Sequence, residues 1–129
     1  MTTPKTTGLH HITVQTVDWE ASLRLYRDVL GMTVAAAWGP KGREMALLDV
    51  GDGSHIELVA PKAGASADAG LLTHLALASG DVVADLEPVR AAGYEVTMEP
   101  KDVMLGDMPA TVAFFKGPNG ESIEFFQTR

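Results

Sequence analysis

The apolar residues of this chain follow two different periods. Between residues 9 and 16 the period is two: His10, Ile12 and Val14 fall on one face, and Leu9, His11, Thr13 and Gln15 on the other. The same alternation returns three times. Ile56 and Leu58 oppose His55, Glu57 and Val59; Leu75 and Leu77 oppose His74, Ala76 and Ala78; Ile123 and Phe125 oppose Ser122, Glu124 and Phe126. These patterns predict strands near 9–16, 54–60, 73–78 and 121–127, each with one apolar face turned to a core. Further strands are expected near 33–38, 43–50, 94–98 and 111–116. The period lengthens in "WEASLRLYRDVLG", where Leu23, Tyr26 and Leu30 lie on one helical stripe. Asp18 stands where an N-cap belongs and Gly31 where a helix stops. A second helix is expected from Asp81 to about Ala92. Pro88 lies inside it, removing a hydrogen bond and predicting a kink or a short helix.

The order strand, helix, three strands therefore occurs twice, and the residues repeat with it. Displaced by 63 positions, "HITVQTVD" (His11 to Asp18) falls on "HLALASGD" (His74 to Asp81). "LGMTV" answers "AGYEV", and "GDGSHIELV" answers "GPNGESIEFF" at an offset of 67. The second half thus carries four extra residues, expected in a longer loop, "MEPKDVMLGDMPAT", over 98–111. The expected fold class is α+β: one domain over 1–129, built of two βαβββ modules. Module 1 covers about 9–60 and module 2 about 72–127, joined by a linker at about 61–71 whose "KAGASADAG" is flexible in composition.

The 129 residues suffice for a real core, and 46% hydrophobic with 21% charged residues is a globular composition. A net charge of −7 argues against nucleic acid and against an anionic membrane surface. No apolar run of membrane-spanning length occurs, and the start "MTTPKTTG" lacks a signal-peptide core. With no cysteine there is no disulfide, thiolate ligand or cysteine nucleophile. A cytoplasmic protein with a small-molecule partner is expected.

On each half, the polar face of the strands carries a His and a Glu at equivalent points: His11 and Glu57, then His74 and Glu124. Two curved sheets related by a pseudo-twofold axis would bring the four together. Two imidazoles and two carboxylates suit one divalent ion among Zn, Ni, Co, Mn and Fe, and leave two positions of an octahedral ion for a chelating substrate. Either half alone reads more simply as strand surface; the symmetric recurrence carries the metal reading. His10 and His55 have Thr73 and Ser122 as counterparts, so His10 is read as a partly buried structural residue and His55 as a rim contact. Trp38, Met45, Met104 and Met108 are candidates to line an apolar cleft under the 98–111 loop, or to fill core.

These features together, with "HHITVQTVD", "LYRDVLGM", "HIELV", "THLAL" and "GPNGESIEFF", resemble the vicinal oxygen chelate superfamily of glyoxalases, bleomycin-resistance proteins and extradiol dioxygenases. The resemblance runs from about Leu9 to Gln127. It implies metal ligation by His11, Glu57, His74 and Glu124, a set most similar to that of glyoxalase I (lactoylglutathione lyase). By that resemblance the reaction is isomerisation of a thiol hemithioacetal of a 2-oxoaldehyde through a metal-chelated enediolate, with Glu124 or Glu57 as the base and Glu124 preferred. It also implies a homodimer whose sites are shared between chains. Gln15 and Pro61 stand where glutathione-using relatives tend to carry Arg and Asn, which puts the thiol in question. No acid stands where epimerases of the superfamily place theirs, unless Glu44 reaches in. The alternative function is metal-free sequestration of a drug in the same cleft; an epimerase or thiol transferase of the superfamily is a further one.

Overall fold

The computed structural model describes residues 9–64, 74–105 and 108–129. The polar start at 1–8, most of the linker, Thr73 and the middle of the 98–111 segment lie outside the described residues. The strands are β1 (His11–Gln15), β2 (Thr33–Trp38), β3 (Met45–Asp49), β4 (His55–Val59), β5 (Leu75–Ala78), β6 (Val96–Leu105), β7 (Met108–Lys116) and β8 (Ser122–Thr128). They form two four-stranded mixed sheets, ordered β1-β4-β3-β2 and β5-β8-β7-β6. In each sheet the first strand pairs in parallel with the last, and the remaining pairs are antiparallel. That topology is βαβββ, twice.

The repeat extends to individual hydrogen bonds. Asp18 and Asp81 both cap helices, accepting from Ala21 N at 3.0 Å and Ala84 N at 3.1 Å. Thr16 N donates to Val59 O, and its counterpart Ser79 N donates to Phe126 O. The β3–β4 and β7–β8 turns close with Val50 N on Ser54 O and Gly117 N on Glu121 O. Gly31 and Gly93, at φ 76° and 91°, end the two helical segments in the left-handed region that glycine alone enters freely.

Three elements depart from the pattern in the sequence. The first helix is α-helical only over Trp19–Leu23 (α1) and continues as π-helical turns over Arg24–Val29, with Leu30 N donating to Leu25 O. The wider turn rotates the stripe, so Leu25 and Tyr26 are fully buried while Leu23 and Leu30 are only partly so. The second helix, α2 (Val82–Ala91), runs through Pro88 for ten residues rather than stopping there. Its core anchors Val82, Leu86 and Val89 are buried on both sides of the proline. The expected 98–111 loop is instead an extension of the β6–β7 hairpin. Pro100 is accommodated because β6 is an edge strand and its register slips between Met98 and Lys101.

One apolar core joins the halves, with Val14, Leu25, Tyr26, Leu48 and Ile56 from the first and Leu75, Leu86, Phe115, Ile123 and Phe125 from the second. A buried polar network crosses the same boundary. Glu121 Oε2 accepts from Tyr26 OH at 3.0 Å and from Asn119 Nδ2 at 2.8 Å, and its Oε1 accepts from Asn119 N at 2.7 Å. Asn119 Oδ1 in turn accepts from Val17 N at 2.6 Å. The "GPNGE" turn of the second half is thereby fixed to the first helix of the first half. Burial and the neighbouring Glu121 carboxylate push the Tyr26 phenol well above its ordinary range. No helix among the described residues is long and apolar enough to cross a membrane.

Candidate metal centre

The register places the four candidate ligands at equivalent backbone positions in the two sheets. In the first, Thr13 pairs with Glu57; in the second, Ala76 pairs with Glu124. His11 and His74 each stand two residues before the paired position, so His and Glu share a sheet face in each half. Ile56 and Leu58, and Ile123 and Phe125, point the other way and are buried. The period-two pattern thus turns each Glu to the face away from the core.

The two half-sites differ in their surroundings. His74 Nε2 lies 3.3 Å from Glu124 Oε1, and the Phe114 ring meets the imidazole edge-on at 5.5 Å between centroids. Glu124 is 8% exposed, although it lies on the face that the alternation marks as polar. Desolvation raises its carboxyl above the ordinary range, and the nearby His74 opposes that in part. Glu57 is half-buried, and its Oε1 accepts a hydrogen bond from Thr13 Oγ1 at 3.0 Å. His11 is exposed, with its Nδ1 2.8 Å from His10 Nδ1.

The donor set fits a divalent ion. At metal–ligand distances of about 2.1 Å, neighbouring N and O ligands on one ion stand about 3.0–3.4 Å apart; the His74–Glu124 pair has that spacing. On the other half, the contact to His10 leaves His11 Nε2 as the available donor, and the Thr13 bond leaves Glu57 Oε2. Among the described residues, however, no three His, Asp or Glu side chains converge within one chain on a common point. The chain brings His74 and Glu124 together, while His11 and Glu57 share a sheet face two residues apart in register.

Other expected site residues are placed differently. His10 is exposed rather than partly buried; its ring stacks on His55 at 5.0 Å as well as meeting His11. It stands before the start of β1, where strand alternation no longer fixes its direction. Glu44 is turned onto Gly42 N at 2.7 Å. Gln15 spends its amide on Ala60 O at 2.7 Å. Trp38 and Met45 line a cleft of about 420 Å³ beside Trp19 and Leu23, whereas Met104 and Met108 are exposed at the tip of the β6–β7 hairpin. The four do not share one cleft. A cleft of about 1000 Å³ opens between edge strands β1 and β5 and is lined by Ile12, His10, His55, Leu75 and Phe125, with none of the four candidate ligands. It lies where the two sheets part; the donor chemistry lies elsewhere. Thr13 shares the His11 face, and its position opposite Glu57 follows from the parallel pairing of a βαβββ unit.

A lactoylglutathione lyase of Haemophilus influenzae is 31% identical over 125 residues, covering 92% of this chain and 91% of that protein. The crystal structure of a glyoxalase I mutant from Zea mays superposes with a TM-score of 0.77 at 22% identity, over 92% of this chain and 44% of that one. TnmS3, an antibiotic binding protein from Streptomyces sp. CB03234, superposes with a TM-score of 0.74 at 21% identity, over 98% and 100% of the two chains. The last two likenesses establish the fold. Residues 8–125 match the family model of the Glyoxalase/Bleomycin resistance protein/Dioxygenase superfamily, and with paired βαβββ sheets that carry a His and a Glu at equivalent register, the chain belongs to that superfamily.

Proposed function

We propose that the protein is a divalent-metal-dependent lyase or isomerase of the glyoxalase I kind. Its substrate would present two vicinal oxygens, as the thiol hemithioacetal of a 2-oxoaldehyde does. His11 and Glu57 of one chain and His74 and Glu124 of a second would hold the ion. The observation that carries this is the register: each half offers one His and one Glu at the same pairing position, and the chain leaves the two half-sites separate. A twofold dimer brings half-site one of each chain to half-site two of the other. The relatives named lactoylglutathione lyase support the reaction class.

A bound ion would polarise both substrate oxygens and stabilise the negative charge that develops when a proton leaves the adjacent carbon. The chain supplies the proton carrier. Glu124 is the better base because burial makes its carboxylate more basic, and its strand partner Ala76 offers no donor to quench it. It takes the proton from one carbon and returns it to the neighbour. Glu57, hydrogen-bonded by Thr13, remains a ligand. Phe114 and the His74 ring wall one side of the carboxylate and limit water there.

The test is a pair of variants. Wild type reconstituted with Ni²⁺, Co²⁺ or Zn²⁺ should bind one ion per site, and Glu57→Gln should bind far less. Glu124→Gln should lose solvent-proton exchange into a panel of hemithioacetals even where it still binds metal. Negligible metal in wild type and Glu57→Gln alike, together with tight binding of a drug by the metal-free protein, would replace this reading with sequestration.

A further inference from the structure

The two candidate carboxylates occupy equivalent register positions, yet the residue facing each across the parallel ladder differs. Opposite Glu57 is Thr13, whose hydroxyl donates to Glu57 Oε1 at 3.0 Å. Opposite Glu124 is Ala76, whose methyl donates nothing. The next strand extends the contrast. Glu57 pairs with Leu47 on its other side and Glu124 with Phe114, both apolar, so the Thr-for-Ala exchange is the polar difference between these cross-strand neighbours.

We infer that Thr13 is a positioning residue that fixes Glu57 as the permanent carboxylate ligand and so divides the labour between two otherwise equivalent glutamates. The proposal rests on the metal reading above and deepens it. A hydroxyl donor on Oε1 occupies one lone pair, sets the plane of the carboxylate and leaves Oε2 to a cation as a single, oriented donor. It also satisfies in advance an oxygen that would otherwise have to be ordered when metal binds. Glu124 has no such tether from its strand partner. Its near neighbour is instead the imidazole of its own half-site, His74 Nε2 at 3.3 Å from Oε1, so the carboxylate without a cross-strand hydroxyl is the one suited to carry a proton, and the tethered one is suited to hold a cation. The pseudo-twofold repeat sets the two carboxylates in equivalent strands and register, with the hydroxyl of Thr13 replaced by the methyl of Ala76 as the polar exchange between them.

The exchange can be made in both directions. Thr13→Val is nearly isosteric, keeps a β-branched residue on an exposed strand position and removes only the donor. Thr13→Ser keeps the donor. Ala76→Thr places a donor opposite Glu124. Affinity for Zn²⁺ is read by competition with a chromogenic chelator, and thermal unfolding of the metal-free proteins serves as the folding control. Outer partners of metal ligands typically change affinity by about 10–100-fold, so Thr13→Val should bind Zn²⁺ about tenfold more weakly or worse. Thr13→Ser should lie within about threefold of wild type, with metal-free melting temperatures unchanged to within about 2 °C. Ala76→Thr should bind Zn²⁺ as tightly as wild type or tighter, and lose solvent-proton exchange. Equal affinity of wild type and Thr13→Val overturns the proposal, as does a Thr13→Ser that is as weak as Thr13→Val. A wild type that binds no Zn²⁺, Ni²⁺ or Co²⁺ overturns the metal reading itself, which is a distinguishable result.

Discussion

Tyr26→Phe tests whether the network between the halves holds them together. The substitution removes one oxygen from a side chain with no exposed surface, and with it the 3.0 Å hydrogen bond to Glu121 Oε2. Glu121 is 4% exposed and keeps two donors, both from Asn119. A hydrogen bond to a charged group contributes about 1.5–3 kcal/mol, and the ring leaves no cavity of consequence, so a loss of about 2 kcal/mol is expected. For a chain of 129 residues this corresponds to a fall in melting temperature of about 7 °C. Tyr94→Phe is the control: Tyr94 is half-buried, and its substitution should shift stability by less than about 0.5 kcal/mol. The pH dependence makes the test sharper. The folded-state pKa of Tyr26 is raised, so its contribution is complete below the unfolded value near 10 and is lost as pH rises beyond it. The unfolded chain releases that proton and the folded chain retains it. The gap between wild type and Tyr26→Phe should therefore narrow above about pH 10, by at most about 1.4 kcal/mol per pH unit. Urea unfolding followed by circular dichroism at pH 7.5 and across pH 9.5–11 reads both quantities. A shift below about 2 °C at neutral pH, or a gap that stays constant through pH 11, would refute the reasoning.

Other expectations follow from the same repeat. Gly117→Ala would put a Cβ 2.3 Å from Glu121 Oε1 and should destabilise by about 1–3 kcal/mol in urea unfolding, through overpacking against a carboxylate that cannot retreat without abandoning Tyr26 and Asn119. Asp18→Ala and Asp81→Ala should each cost about 1 kcal/mol. Their effects should add in the double variant, because the caps belong to different helices with no shared partner.

The βαβββ repeat was legible because its signals are local. Alternation in "HIELV" and "SIEFF" fixes which side chains go inward, and Asp18 and Asp81 cap helices through their own next turn. The parts not legible depend on the rest of the molecule. Nothing in "RLYRDV" announces π-helical turns; they form because Leu25 and Tyr26 are both drawn into a core shared with the second half. The 98–111 segment reads as a loop by its prolines and glycine, but an edge strand tolerates Pro100 at a register slip. The burial of the polar Asn119 and Glu121 was not legible in "GPNGE", because it arises where the first helix comes down on them. At the candidate site, the equivalent register of Glu57 and Glu124, with His11 and His74 two residues before their strand partners, was readable from the repeat. The difference between the two glutamates was not, since it arises from Thr13 and Ala76 across the ladder.

If half-sites from two chains make one metal centre, as proposed, two single variants should complement each other in a mixed dimer. His11→Ala and His74→Ala are prepared separately, and each homodimer should hold little metal, since every site has lost an imidazole. The two are unfolded, mixed in equal amounts, refolded and reconstituted with metal. A mixed dimer has one site carrying both substitutions and one carrying neither. Random pairing makes half the dimers mixed, so about a quarter of the wild-type bound metal should return under twofold symmetry. If each chain held its own complete site, every site would carry one defect and no metal would return. Exchange of chains without recovery of bound metal would contradict the account.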